Sequence, residues 1–136
     1  KYIKKNSTWA IGKASIVEIE KKNILKASLL AMKRAIKKLK KKPTKVLIDG
    51  NKLPDLKNYK LYSVVKGDEK IPSISAASIL AKVTRDNLIS NLGRKYKGYF
   101  WCQNFGYGTK QHLNAIKKLG ITVHHRKTFS PINKIK

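Results

Sequence analysis

The chain has 136 residues and a formal net charge of +25, from 32 Lys and Arg against 7 Asp and Glu. That length accommodates one domain with a real core and excludes two, and 41% hydrophobic residues argue against disorder despite the charge. The excess calls for a polyanionic partner; no apolar run approaches the ~18 residues of a membrane span and no amphipathic anchor stands out, so nucleic acid is favoured over a membrane.

Part of the charge has a blander source. The chain carries 28 Lys but only 4 Arg, with many Ile and Asn. This is the pattern of a coding bias toward A·T-rich codons, which raises Lys on any solvated face. Cys102 stands alone, so no disulfide framework or thiolate cluster is expected. It reads as a packed or half-buried thiol in a reducing cytoplasm. The chain opens on Lys1 and its one Met is Met32, so a fragment is expected.

In chain order, residues 8–17 alternate loosely between apolar and polar and carry β-branched and aromatic side chains, which predicts a strand. From Asn23 to Lys40 the positions Leu25, Leu29, Met32, Ile36 and Leu39 are spaced as one stripe of an amphipathic helix. The basic run Lys37, Lys38, Lys40, Lys41 and Lys42 then ends at Pro43, and suits a solvated helix C-terminus. Short strands are expected over Lys45–Asp49 and Leu61–Lys66. A helix follows over Ser75–Leu92, with Ala77, Ala81, Leu88 and Leu92 on one face. Its first turn is small, which permits either a phosphate at free amides or close packing on a sheet. After a Gly- and aromatic-rich stretch, Thr109 caps a helix over Lys110–Leu119 that Gly120 stops. The order predicts an α/β fold with a mixed sheet.

Val46-Leu47-Ile48-Asp49-Gly50-Asn51 places a carboxylate at the carboxyl end of a strand, the edge where open α/β sheets bind ligands. Val64-Val65-Lys66-Gly67-Asp68 repeats the arrangement. Asp49 and Asp68 are candidate ligands for a hard divalent cation such as Mg²⁺ or Mn²⁺; the alternative for each is a plain turn residue. Two ions about 3.5–4 Å apart can clamp the attacking water and the leaving oxygen of a phosphodiester, and such a centre commonly uses three or four carboxylates. Glu18 and Glu20 read as partners of a helix N-terminus, Asp55 as a loop acid and Asp86 as mid-helix beside Arg85. Glu69 is expected to point away. His124 and His125, with no third His nearby, either pack or bind water, or else serve as ligands or in acid–base chemistry. Tyr107, in Gly106-Tyr107-Gly108-Thr109, is placed to stack on a base or sugar, or else to fill a core.

These residues resemble a known family. Asn23-Ile24-Leu25-Lys26-Ala27-Ser28, the Asp49 and Asp68 segments, Ile74-Ser75-Ala76-Ala77-Ser78-Ile79-Leu80-Ala81-Lys82-Val83-Thr84-Arg85-Asp86, the Tyr107 loop and His124-His125-Arg126 together resemble the carboxyl two-thirds of a bacterial ribonuclease HII. The resemblance implies a ribonuclease-H-like mixed sheet flanked by helices, in one domain over residues 1–136. It implies a Mn²⁺- or Mg²⁺-dependent endonuclease, monomeric and cytoplasmic, with no membrane partner. Its substrates would be RNA–DNA hybrids and duplex DNA containing single ribonucleotides, cut on their 5′ side. Asp49 and Asp68 take the places of the third and fourth carboxylates, and Tyr107 that of the tyrosine at the ribonucleotide–DNA junction. Ser75, Ser78 and Lys82 are the other substrate-binding candidates.

The resemblance also has a gap. The family's opening strand with Asp-Glu, and its Gly-Arg-Gly loop, do not occur in this sequence. The expectation is a domain missing its N-terminal strands, inactive by itself. Another class of reading is a non-catalytic basic module that binds nucleic acid; it explains the lysines but not two strand-end acids.

Overall fold

Residues 8–17, expected as a strand, hold the start of a helix. In the computed structural model, which describes residues 1–134, residues 8–15 are irregular and α2 begins at Ile16, following the short α1, Tyr2–Asn6. The cause is Ser15. Its side chain accepts the Glu18 amide while the Glu18 carboxylate accepts the Ser15 amide at 2.8 Å, so two donors at the end of α2 (Ile16–Lys22) are satisfied reciprocally. This Ser-x-x-Glu signal outweighs the β-branched alternation. Glu18 and Glu20 therefore lie within a helix rather than ahead of one.

Glu18 also anchors the next helix, α3, Ile24–Lys37. Both guanidinium ends of Arg34 donate to its carboxylate, at 2.8 and 2.6 Å, and Arg34 reaches the Lys13 carbonyl at 2.8 Å. Asn23 joins the two helices at a φ of 71° and caps α3 by accepting the Lys26 amide. The stripe on α3 is partly realised: Ile36 is buried and Met32 packs beside it, but Leu25 is half exposed and Ala27 is the most buried position. The lysines of the 37–42 run are exposed past the helix end.

β1 (Val46–Asp49) and β2 (Leu61–Val64) pair in parallel, with Val46 opposite Leu61 and Asp49 opposite Val64. With residues 8–17 outside the sheet, the two strands among the described residues form a parallel pair rather than a mixed sheet. Their connection carries no helix; buried Pro54 and Leu56 pin it. Ile36, Ile48 and Leu56 make the local core, with Val46, Tyr59 and Leu61 against it.

A single-turn helix α4, Gly67–Lys70, leads into α5, Pro72–Lys95, which starts on proline one turn before the expected Ser75. Of the expected face of α5, Ala77, Ala81 and Leu88 are exposed and Leu92 alone packs. Ile74 is buried near its start, and Ile89 and Leu92 pack near its end. The described chain forms two compact units, Lys1–Ala81 and Lys82–Lys136. In the second, α6 (Trp101–Asn104) and α7 (Lys110–Leu119) surround Tyr99, Trp101, Ala115 and Ile116. α7 matches expectation at both ends, with Thr109 accepting the His112 amide and Gly120 at a φ of 77°. Cys102 is exposed rather than packed.

The Arg34 hydrogen bond, then the Ser15 amide, hold the Glu18 carboxyl down to about 2, from an ordinary 4.5. A carboxyl lowered on folding adds stability above its unfolded value and loses it as pH falls through the folded one. Melts followed by circular dichroism from pH 5 to 2 are therefore expected to fall more steeply for the wild type than for Glu18→Gln. The two should converge near pH 2. Parallel curves would remove the ion pair from the stability of α2 on α3.

Candidate metal and nucleic-acid site

Asp49 is the last residue of β1, and Gly50 behind it turns the chain at a φ of 91°. Its Oδ1 accepts the backbone N–H of Gly67 at 2.8 Å. Lys66, at left-handed φ and ψ of 55° and 45°, swings the chain so that this amide faces the carboxylate. Gly67 is buried, and a Cβ there would come within 2.6 Å of Ile74 Cδ1 and 3.5 Å of the accepting Oδ1. A larger residue there would have to displace the end of the Ile74 side chain and would lie 3.3 Å from Val64 Cβ.

Asp68 follows directly. It sits in the first turn of α4, not at a strand end as its sequence context suggested, and it is exposed. Among the described residues it makes no hydrogen bond or ion pair. The nearby Lys70 ammonium donates instead to the Val65 carbonyl at 3.0 Å. Asp49 and Asp68 therefore lie on adjoining elements, one carboxylate fixed through a single oxygen and the other unengaged. Hard, anionic oxygen donors in this state suit a hard divalent cation. They fit as part of a donor set: among the described residues no three His, Cys, Asp or Glu side chains gather closely enough to hold a metal.

Ser75 and Ser78 lie in the first part of α5. The Ser75 amide donates to the Ile71 carbonyl at 3.0 Å, so it is not a free anion-binding group; the hydroxyls are what these residues can offer. In the second unit Lys82 is bound to Asp86 at 2.6 Å, and this bond raises its pKa, with the Tyr107 hydroxyl adding to the same direction. Tyr107 is 58% exposed, which excludes the core-filling alternative. The Arg85 guanidinium lies over its ring, 5.2 Å from the centroid. Lys82 and Tyr107 are thus neighbours, and Arg85 and Asp86 tie them together. Sequence reasoning named Arg85 and Asp86 only as a mid-helix pair; their spacings of 3 and 4 from Lys82 were the available signal.

His124 and His125 turn out to be packing residues. His112 supplies the third imidazole that the sequence did not bring into view, stacked on His125 with centroids 5.5 Å apart. Both are buried among Tyr99 and Trp101. Burial, then the charge of His112, push His125 down to about 4, so it is neutral near pH 7.

A sequence model of the ribonuclease HII family matches residues 3–131. Ribonuclease HII of Pelagibacter ubique strain HTCC1062 is 72% identical over 133 residues, covering 98% of this chain and 72% of that protein. The ribonuclease HII of Roseobacter denitrificans is 48% identical over 124 residues, covering 91% and 63%. Among solved structures, the crystal structure of the ribonuclease H2 from Pyrococcus horikoshii OT3 superposes with a TM-score of 0.68 at 28% identity, over 89% of this chain and 64% of that one. The chain therefore spans roughly two thirds of the length of these relatives.

Gly67→Ala is expected to destabilise the chain by about 1–3 kcal/mol, because the new methyl overlaps the end of the buried Ile74 side chain and crowds Val64. Denaturant unfolding measures the loss. An unchanged midpoint would show that the turn yields freely.

Proposed function

The chain belongs to the ribonuclease HII family and has the ribonuclease-H-like α/β fold, and from that premise we propose that Asp49 and Asp68 serve endonucleolytic cleavage of RNA joined to or paired with DNA. The substrates are the RNA strand of RNA–DNA hybrids and single ribonucleotides embedded in duplex DNA. The observation that carries the reading is the Asp49 carboxylate held by the Gly67 amide, with Asp68 on the next residue of the same turn.

Mn²⁺ or Mg²⁺, bound by Asp49 and Asp68, would supply the positive charge that activates water and neutralises the phosphodiester. The chain's own groups supply position. The Gly67 amide fixes one oxygen of Asp49, so the carboxylate keeps one orientation as charge accumulates near it. Lys82 keeps its proton, and two of its three donor directions remain for phosphate oxygens. In the first unit, Ser75 and Ser78 offer hydroxyls to a nucleic-acid backbone. The exposed ring of Tyr107 packs on the deoxyribose that follows the ribonucleotide. The +25 charge brings the duplex in by counterion release. Residues 1–136 belong, on this reading, to one monomeric, cytoplasmic domain. No helix among the described residues is long and apolar enough to cross a membrane.

A second reading, a chain that binds duplex nucleic acid without cutting it, is favoured by one observation: no third acid joins Asp49 and Asp68 among the described residues. The two readings separate in a simple pair of measurements. Mn²⁺ titrated into the chain by calorimetry should bind, and Asp49→Asn should abolish that binding. By itself this chain is expected to be inactive on a hybrid; joined to the family's Asp-Glu segment it should cleave, and Asp49→Asn should lower that rate by at least on the order of 10²-fold. Unchanged metal binding in Asp49→Asn would remove Asp49 from the site; metal-independent duplex binding with no cutting by the joined chain would leave the second reading standing.

Tyr107→Ala should weaken binding to a duplex with one embedded ribonucleotide by about 1–3 kcal/mol relative to an all-DNA duplex, through loss of aromatic packing. Fluorescence anisotropy on both duplexes measures it. Equal loss on both would make Tyr107 a general contact and not a junction reader.

A further inference from the structure

The loop that presents Tyr107 is unusual in its backbone. Phe105 has a φ of 49° and Gly106 a φ of 80°, two left-handed residues in succession, the first of them bulky. Such a turn persists only where its surroundings enforce it. Part of the enforcement is local: buried Asn104 accepts the Gly106 amide on its side chain at 2.9 Å and the Tyr107 amide on its carbonyl at 2.8 Å. The rest comes from Arg85, on the rigid frame of α5.

Arg85 meets each of the three loop residues. Its Nη1 donates to the Phe105 carbonyl at 3.1 Å. Its Nη2 would lie 3.8 Å from a Cβ on Gly106, so it passes close over that residue. Its guanidinium plane then lies over the Tyr107 ring. Asp86, which binds Lys82, also comes within 3.7 Å of Arg85 Nη1. Arg126, whose guanidinium feels the charge of Arg85, rests on Phe129 at 4.0 Å and offers Tyr107 no comparable contact.

We propose that Arg85 is a positioning residue for recognition of the ribonucleotide–DNA junction: it clamps the Phe105–Tyr107 loop and backs one face of the Tyr107 ring, so that the other face is presented to the sugar. The inference rests on the junction role given to Tyr107 above. A planar guanidinium can donate to a carbonyl and cover a ring with the same group. An ammonium is a point donor and cannot do both from one position. Backing by a cation also fixes the ring in advance, so less freedom is lost when a sugar arrives.

The test uses the full 136-residue chain, with Arg85→Lys, Arg85→Gln, Tyr107→Ala and the Arg85→Lys/Tyr107→Ala double variant. NMR without nucleic acid reads the clamp: the Tyr107 ring signals and the 105–107 amides should shift in both Arg85 variants. Tyr99 and Trp101 ring signals should stay in place, which verifies the fold; if Arg85→Gln disturbs them, Arg85→Lys carries the test. Anisotropy reads its consequence. Preference for a duplex with one embedded ribonucleotide over all-DNA duplex should fall about three- to tenfold in Arg85→Lys, with no further loss on adding it to Tyr107→Ala.

Unmoved ring and amide signals would overturn the clamp. So would shifted signals with the preference intact, provided Tyr107→Ala loses it. A salt dependence of binding whose slope drops by about one in Arg85→Gln, with the preference kept, would make Arg85 a phosphate contact and overturn the proposal. If instead Tyr107→Ala keeps the preference, or the wild type has none, the junction reading of Tyr107 fails, and the NMR result shows separately whether the clamp exists.

Discussion

A single backbone amide organises the acidic end of this chain. The Gly67 N–H faces the Asp49 carboxylate because Lys66 adopts a left-handed conformation before it, and the bare Cα at position 67 lets the Ile74 and Val64 side chains close on the turn. The bond joins the end of β1 to the α4 turn, and α4 in turn fixes where Asp68 stands and where α5 can start. A charge-assisted bond to a carboxylate is worth more than a neutral one, and it leaves one oxygen of Asp49 without a protein partner. Positioning and availability come from the same contact.

Much of this was legible in the sequence, and the reasons differ by element. α7 could be read to the residue because its ends carry local chemistry: Thr109 at one, Gly120 at the other. β1 and Asp49 were readable because an apolar run ending in Asp-Gly has few alternatives. Residues 8–17 misled because alternation and β-branching compete with the Ser15–Glu18 capping signal, which Arg34, distant in sequence, reinforces. Asp68 was found but placed at a strand end; Gly67 and Lys66 convert that end into a helical turn. The buried face of α5 was misassigned because different residues pack at its two ends. No single helical stripe describes that.

Side-chain company was the least legible layer. Lys82 and Tyr107 were candidates from separate motifs, and nothing in their spacing said that Arg85 and Asp86 link them. The histidines show the converse. His124 and His125 look chemical on paper, yet His125 is buried against His112 and half-buried His124 packs edge-on against Tyr96 and Trp101. The imidazole of His112 becomes a neighbour of His125 only when α7 folds back, and sequence adjacency carries no record of it.

Gly12 leaves a mark of another kind. Any Cβ there would overlap the carbonyl oxygen of Ala31 and come within 2.5 Å of the Ala35 amide, so the irregular segment rests directly on the backbone of α3. The exposed lysine-rich faces take almost any side chain, whereas at position 12 even the methyl of alanine must push the 8–15 segment off α3.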